Sequence, residues 1–387
     1  MKRTLILLAL VIMASGAFAQ FKKDKKAAIK ALEKQELTQA KEAIDKTMSY
    51  PEAANDAEAW LYKGKIYMAL GAKDQENINS ALLNDAYDAF YKVNSLDGKY
   101  KLDVITNLNA IAGQFFNAGI KNYENKKFDE GISNFGKAIK INEDNKLVDT
   151  MAYYGTALCY EGKAAIDKSL INTAIEKYEY LTKLQMKNPR VYAVLANLYK
   201  ESGKMDMAMN TILTATTLFP KDPDLMITEA NIHFANNDYN KADGILSQLK
   251  QDNAKNIPVL YAIAVNYDVN KNNEKYSPDV KAKLFKAAEE TYKEIVAIDP
   301  ENTDATFNLG ALYYNKGGDL INAANALPMN ETEKYNAMLK DGNDNLAKAM
   351  PYLEKILEKD PNNDAAKASL REIYTRLNLK EKIGNLK

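Results

Sequence analysis

The sequence predicts an all-α fold: a solenoid of about eight helical hairpins, one of them elongated, closed by a C-terminal capping helix. Three observations predict it. Beyond residue 20 nearly every segment spaces its apolar residues three and four apart, and the alternation of a half-buried strand is scarce. A small residue followed three places later by a ring recurs with a period of about 34 residues, at Ala196 and Tyr199, Ala230 and His233, Ala264 and Tyr267. Prolines 189, 220, 300 and 361 punctuate the pattern where a helix has to start or stop.

The elements follow in order. Lys2 and Arg3 precede an unbroken apolar run at residues 5–14, and Ala17-Phe18-Ala19 supplies small residues around a cleavage point. That run is too short to span a bilayer as a helix, so residues 1–19 read as a cleaved signal peptide, not an anchor. No cysteine lies near the cut, which argues against a lipid-anchored product. The expectation is an exported chain, periplasmic or secreted, soluble after cleavage following Ala19.

The opening hairpin is marked by Ala28, Ala40 and Ile44, and the next by Trp60, Gly64, Tyr67, Ala86 and Phe90. Phe115, Gly119, Gly131, Phe135 and Ala138 make a third; Gly155, Ala174 and Tyr178 belong to a fourth. The fullest copy begins at Pro189, which is counted here as offset 1. Tyr192, Leu195, Ala196 and Tyr199 fall in its first helix; Ala208, Ile212, Ala215 and Pro220 follow in its second. Small residues at offsets 8 and 20 let two helices approach closely, while large ones at 4, 7, 11 and 24 fill the space between hairpins. Ala230, His233, Ala242 and Leu246 continue the array. Ala264, Tyr267, Ala288, Tyr292 and Pro300 come next, then Leu309, Gly310, Tyr313, Ala349, Leu353 and Pro361. Leu370 and Tyr374 mark a lone last helix whose lysine-rich end suits a solvent-facing cap.

Departures occur at Lys63, Leu158 and Glu143, where a leucine, a tyrosine and a proline are expected. Insertions fall between Gly71 and Ala86, between Gly98 and Val104, at residues 270–281, and on both sides of Leu327-Pro328-Met329-Asn330. The last keeps helical spacing and predicts two arms, each lengthened by about 13 residues, or roughly 20 Å. The expected organisation is a leader at 1–19, hairpins with insertions at 20–111, a central array at 112–302, and the long hairpin with its cap at 303–387.

These offsets resemble the tetratricopeptide repeat (TPR), and the resemblance covers nearly all of the chain beyond the leader. It implies a right-handed α-solenoid whose hairpins bury their apolar flanks on one another. It also implies that offsets 2, 5, 9 and 12 of the first helices line a concave face. The partner-binding candidates are therefore Arg190, Asn197, Lys200, Ile227, Asn231, Phe234, Tyr261, Asp268, Phe307 and Tyr314. Asn197 and Asn231 would offer amides to an extended peptide, with Phe234, Tyr261, Phe307 and Tyr314 as apolar pockets. The same offsets can instead be half-buried packing positions. Ala193, Thr228, Pro258 and Ala262 stand where some TPR proteins clamp a partner's terminal carboxylate, so that mode is not expected.

Composition narrows the function. Basic and acidic residues balance at 52 each. No basic run supplies the counterion release that nucleic-acid binding needs. One histidine, His233, takes the place of a packed ring, and one cysteine, Cys159, reads as an apolar filler; neither stocks a metal site. No phosphate-binding glycine loop or nucleophile–histidine arrangement is present. No enzyme activity, metal or cofactor is expected. The reading is a scaffold for protein or peptide partners in the cell envelope. A glycan or small-ligand module on the same face, and a structural subunit of an envelope complex, stand as alternatives.

Overall fold

Each period of the sequence becomes a pair of antiparallel helices. The computed structural model describes residues 2–73 and 80–386. The pairs are α1 (Lys2–Glu33) with α2 (Leu37–Met48), α3 (Ala57–Gly71) with α4 (Ser80–Leu96), and α5 (Lys101–Glu124) with α6 (Phe128–Asp144). They continue with α7 (Thr150–Ile166) and α8 (Ile171–Lys183), α9 (Pro189–Glu201) and α10 (Met205–Leu218), and α11 (Pro223–Ala235) and α12 (Tyr239–Asp252). The last are α13 (Ile257–Asn270) with α14 (Pro278–Ile298) and α15 (Thr303–Asn325) with α16 (Thr332–Lys359), followed by α17 (Asp364–Arg376) and α18 (Lys380–Asn385). No strand occurs among the described residues.

Local chemistry sets both ends of the first helices. Asp56, Asp149, Asn188, Asp222, Asn256, Asn302 and Asn363 each accept a hydrogen bond from a backbone N–H two or three residues on. A short polar side chain there satisfies a donor that the helix leaves open. The turn into the second helix is equally regular. Gln35, Lys126, Gly203, Asn237 and Asn378 have φ between 57° and 78°, and the next residue donates back to the first helix, as Lys127 does to the Asn122 carbonyl at 2.7 Å. That left-handed step closes off the first helix's last carbonyls and reverses the chain.

The chain divides into two compact units, residues 1–187 and 188–387. In the first, Ile44, Phe90, Phe115 and Phe135 are fully buried at the helix crossings. Gly64 faces the Phe90 ring, and Gly119 and Gly155 both face Phe135; a methyl group on any of them would lie within 2.7 Å of that ring. In the second unit a continuous core runs from Ala230 through Leu260, Leu309 and Leu353 to Tyr374. Within each unit a second helix packs on its own partner and on the first helix of the next pair, as α12 does on α11 and α13.

The hairpin around Leu327 is elongated as expected. Helices α15 and α16 have 23 and 28 residues, against 13 and 14 in α11 and α12. Gly317 and Gly342 let its arms cross closely: a Cβ on Gly317 would stand 2.8 Å from the Gly342 carbonyl oxygen.

Two expectations need correction. The boundary at 111/112 falls inside α5, because the insertion near Gly98 lengthens that helix to 24 residues and makes no linker. The C-terminal cap is not a lone helix: the same left-handed turn, at Asn378, starts a six-residue second helix, α18. The insertion at 270–281 buries Tyr276, whose hydroxyl donates to the Phe234 carbonyl at 2.9 Å. The insertion after Gly71 lies partly outside the described residues. Helix α1 runs unbroken across the expected cleavage point. Among the described residues no helix is long and apolar enough to cross a membrane.

Candidate partner-binding face of the second unit

The ten candidate residues all lie in the second unit, on its first helices α9, α11, α13 and α15. Offsets 2, 5, 9 and 12 are separated by three or four residues, so they share one side of each helix. Helix α9 packs beside α11, and α11 beside α13, which sets these sides next to one another.

The positions differ sharply in what they can offer. Arg190 is exposed near the α9 N-terminus, while Asn197, Lys200, Ile227 and Asn231 are half-buried. Among the described residues, neither amide makes a side-chain hydrogen bond and Lys200 has no carboxylate in ion-pairing range. Burial holds the Lys200 ammonium below the usual lysine range, partly offset by the nearby Glu201 charge. A half-buried polar group ordinarily finds a partner. Asn197, Lys200 and Asn231 are the candidates with no such partner among the described residues.

Phe234 is a correction. It is 1% exposed, a core residue and not a wall of the face. The physical reason is the insertion after α13, whose Tyr276 seals the end of α11 through the hydrogen bond to the Phe234 carbonyl.

The α13 and α15 candidates are engaged internally. The Tyr261 hydroxyl accepts from Asn308 Nδ2 at 2.9 Å and its ring meets Tyr292 edge-on. Asp268 forms an ion pair with Lys271 at 2.7 Å. The Tyr314 hydroxyl donates to Glu372 on α17, and burial followed by that carboxylate pushes its pKa up to about 12. Phe307 is half-buried and packs against the unit's core. These residues tie α13, α15 and α17 together; α9 and α11 carry the unengaged groups.

One residue escapes an offset reading. Glu229 takes offset 7, where the neighbouring repeats place Leu195 and Ile263, yet it stays half-buried, and burial raises its carboxyl pKa. An acidic residue interrupting a stripe of leucine and isoleucine was the available signal.

The chemistry-bearing residues sit where the sequence suggests. His233 is a buried ring, Nδ1 3.7 Å from the Asp238 carboxylate, and burial lowers its pKa, so it is neutral at pH 7. Cys159 is fully buried, its thiol pushed up to about 12 by burial. No group of three His, Cys, Asp or Glu among the described residues is placed to hold a metal ion.

Residues 189–222 match the family model of the tetratricopeptide repeat, the segment from Pro189 that carries the fullest copy. No curated protein is similar to the chain at a significant level. Several solved structures are. The APC/C hetero-tetramer Cut9-Hcn1 is 15% identical with a TM-score of 0.41, covering 87% of this chain and 59% of that one. A thermophilic TPR protein of Thermus thermophilus is 17% identical with a TM-score of 0.37, covering 52% and 98%. The C-terminal part of a TPR repeat-containing protein from Cytophaga hutchinsonii is 15% identical with a TM-score of 0.37, covering 73% and 97%.

Proposed function

We propose that this tetratricopeptide-repeat chain is a non-enzymatic scaffold that binds protein segments along the first-helix face of its second unit. The observation that carries the reading is the set of unengaged, half-buried groups on α9 and α11: Asn197, Lys200 and Asn231. Side-chain amides in a row suit the N–H and C=O groups of an extended peptide, and Lys200 suits an acidic side chain beside it. Ile227 contributes an apolar contact between them. A surface already held rigid by helix packing loses little entropy on binding, so several modest contacts suffice.

The scaffold works in the cell envelope after export. Support comes from the leader pattern. Residues 17–19 are exposed, whereas Phe21, two residues past the expected cut, is buried. Removal of the leader costs the fold no buried side chain from residues 17–19.

The test is affinity capture of the tagged chain beside a variant carrying Asn197→Ala, Lys200→Ala and Asn231→Ala. A defined set of proteins held by the parent and lost by the variant is expected. An identical set on both places the interface elsewhere and rejects this face.

A further inference from the structure

We propose that the cleft between the 271–285 segment and α15 is a binding site for a small phosphate monoester on an apolar body. Both walls arise from departures from the 34-residue period: the insertion after α13 and the lengthened arm of α15. The cleft has a volume of about 340 Å³ and is lined by Lys271, Lys281, Lys316, Asp319, Pro278 and Phe285. That volume lies at the small end of ligand sites.

Charge and shape together assign the ligand. Three lysines line the cleft from three segments: the turn after α13, the first turns of α14, and the middle of α15. Lys271 is held by Asp268 at 2.7 Å with only 12% of its side chain exposed. Among the described residues neither Lys281 nor Lys316 pairs with a carboxylate, although Asp319 lines the same cleft. With Lys271 offset by Asp268 and a second charge by Asp319, the cleft keeps one net positive charge, carried by the unpaired Lys281 and Lys316, which favours an anion. Phe285, half-buried, forms the apolar wall, with Lys316 Nζ 5.9 Å from its ring centroid. A bare anion uses only the lysines; an anion on a ring or short alkyl group uses both walls.

The experiment is calorimetric titration of the full chain at pH 7 and low salt with phenyl phosphate, inorganic phosphate, benzoate and phenol. Phenyl phosphate is expected to bind saturably and most tightly of the four, with benzoate, singly charged, weaker. Lys281→Gln with Lys316→Gln weakens it by about tenfold or more, and Phe285→Ala removes its advantage over inorganic phosphate. Circular dichroism of each variant confirms the fold, and Asp319→Asn gives a second reading by tightening the complex. Absence of saturable phenyl phosphate binding, an affinity unmoved by the lysine pair, or phenol or benzoate binding as tightly overturns the assignment.

Discussion

The hydroxyl of Tyr267 on α13 donates a hydrogen bond to Oδ1 of Asp243 on α12 at 3.0 Å. The contact recurs along the chain: Tyr67 reaches Asp45, Tyr313 reaches Glu289, and Tyr374 reaches Glu354. Each ring stands at offset 11 of a first helix, and each carboxylate sits on the second helix of the preceding hairpin. The acid follows the small residue at Ala242 and Ala288, or comes one turn later, after Ile44 and Leu353. The ring seals the apolar joint between hairpins, and the hydroxyl pins its outer edge.

Tyr267→Phe keeps the ring and loses that bond. It is expected to cost about 1–2 kcal/mol, since the acceptor is a carboxyl oxygen and Tyr267 is 3% exposed. Urea denaturation of the full chain measures it. A double-mutant cycle with Asp243→Ala separates the pair from each residue's own packing. A coupling energy near zero contradicts the pairing.

Gly317→Val is expected to splay the long hairpin. The obstacle is the Gly342 carbonyl, a backbone atom that cannot swing aside. The cost is about 2–3 kcal/mol as for overpacking elsewhere, concentrated in α15 and α16. Hydrogen exchange should rise in peptides from these two helices and stay unchanged in α9 to α12. Uniform exchange across the second unit excludes a local splay.

Glu229→Leu restores the apolar stripe. Burial raises this carboxyl's pKa, so the native state favours its neutral form. Stability from the protonated group is fully present below the ordinary glutamate value and is lost as pH rises through the raised one. At neutral pH the leucine variant is therefore expected to gain about 1 kcal/mol. A lower urea midpoint than the parent at pH 7 rules this out.

His233→Tyr installs the ring that the adjacent repeats carry. Burial depresses the histidine pKa below its ordinary value, with the Asp238 charge opposing. Its contribution is present above the ordinary value and is lost as pH falls through the depressed one. The variant should lose less stability than the parent between pH 8 and about pH 5. Equal losses assign the acid sensitivity to other groups.

The hairpins were legible because helix packing has strict size requirements. Gly64, Gly119 and Gly155 are small for want of space under Phe90 and Phe135, and the sequence displays that demand at a fixed period. The long hairpin was legible from unbroken helical spacing. The face was legible only in part. Offsets place Asn197 and Phe234 on one side of their helices, but they carry no information about Tyr276, which arrives from an insertion and buries one end of α11. Nor do they foretell that Tyr261, Asp268 and Tyr314 spend their polar groups on neighbours. Contacts between hairpins depend on side chains distant in sequence, and a local pattern does not encode them.

The most direct measurement places a photo-crosslinking residue at position 231 on the first-helix face and, in a second protein, at position 214. Asn231 is half-buried on α11, whereas Thr214 is exposed on the second helix α10. Both proteins are irradiated in cells and their adducts identified by mass spectrometry. Partner adducts at 231 that are missing at 214 are the predicted result. Adducts at 214 with none at 231 contradict the account, because the binding surface then lies on the second helices.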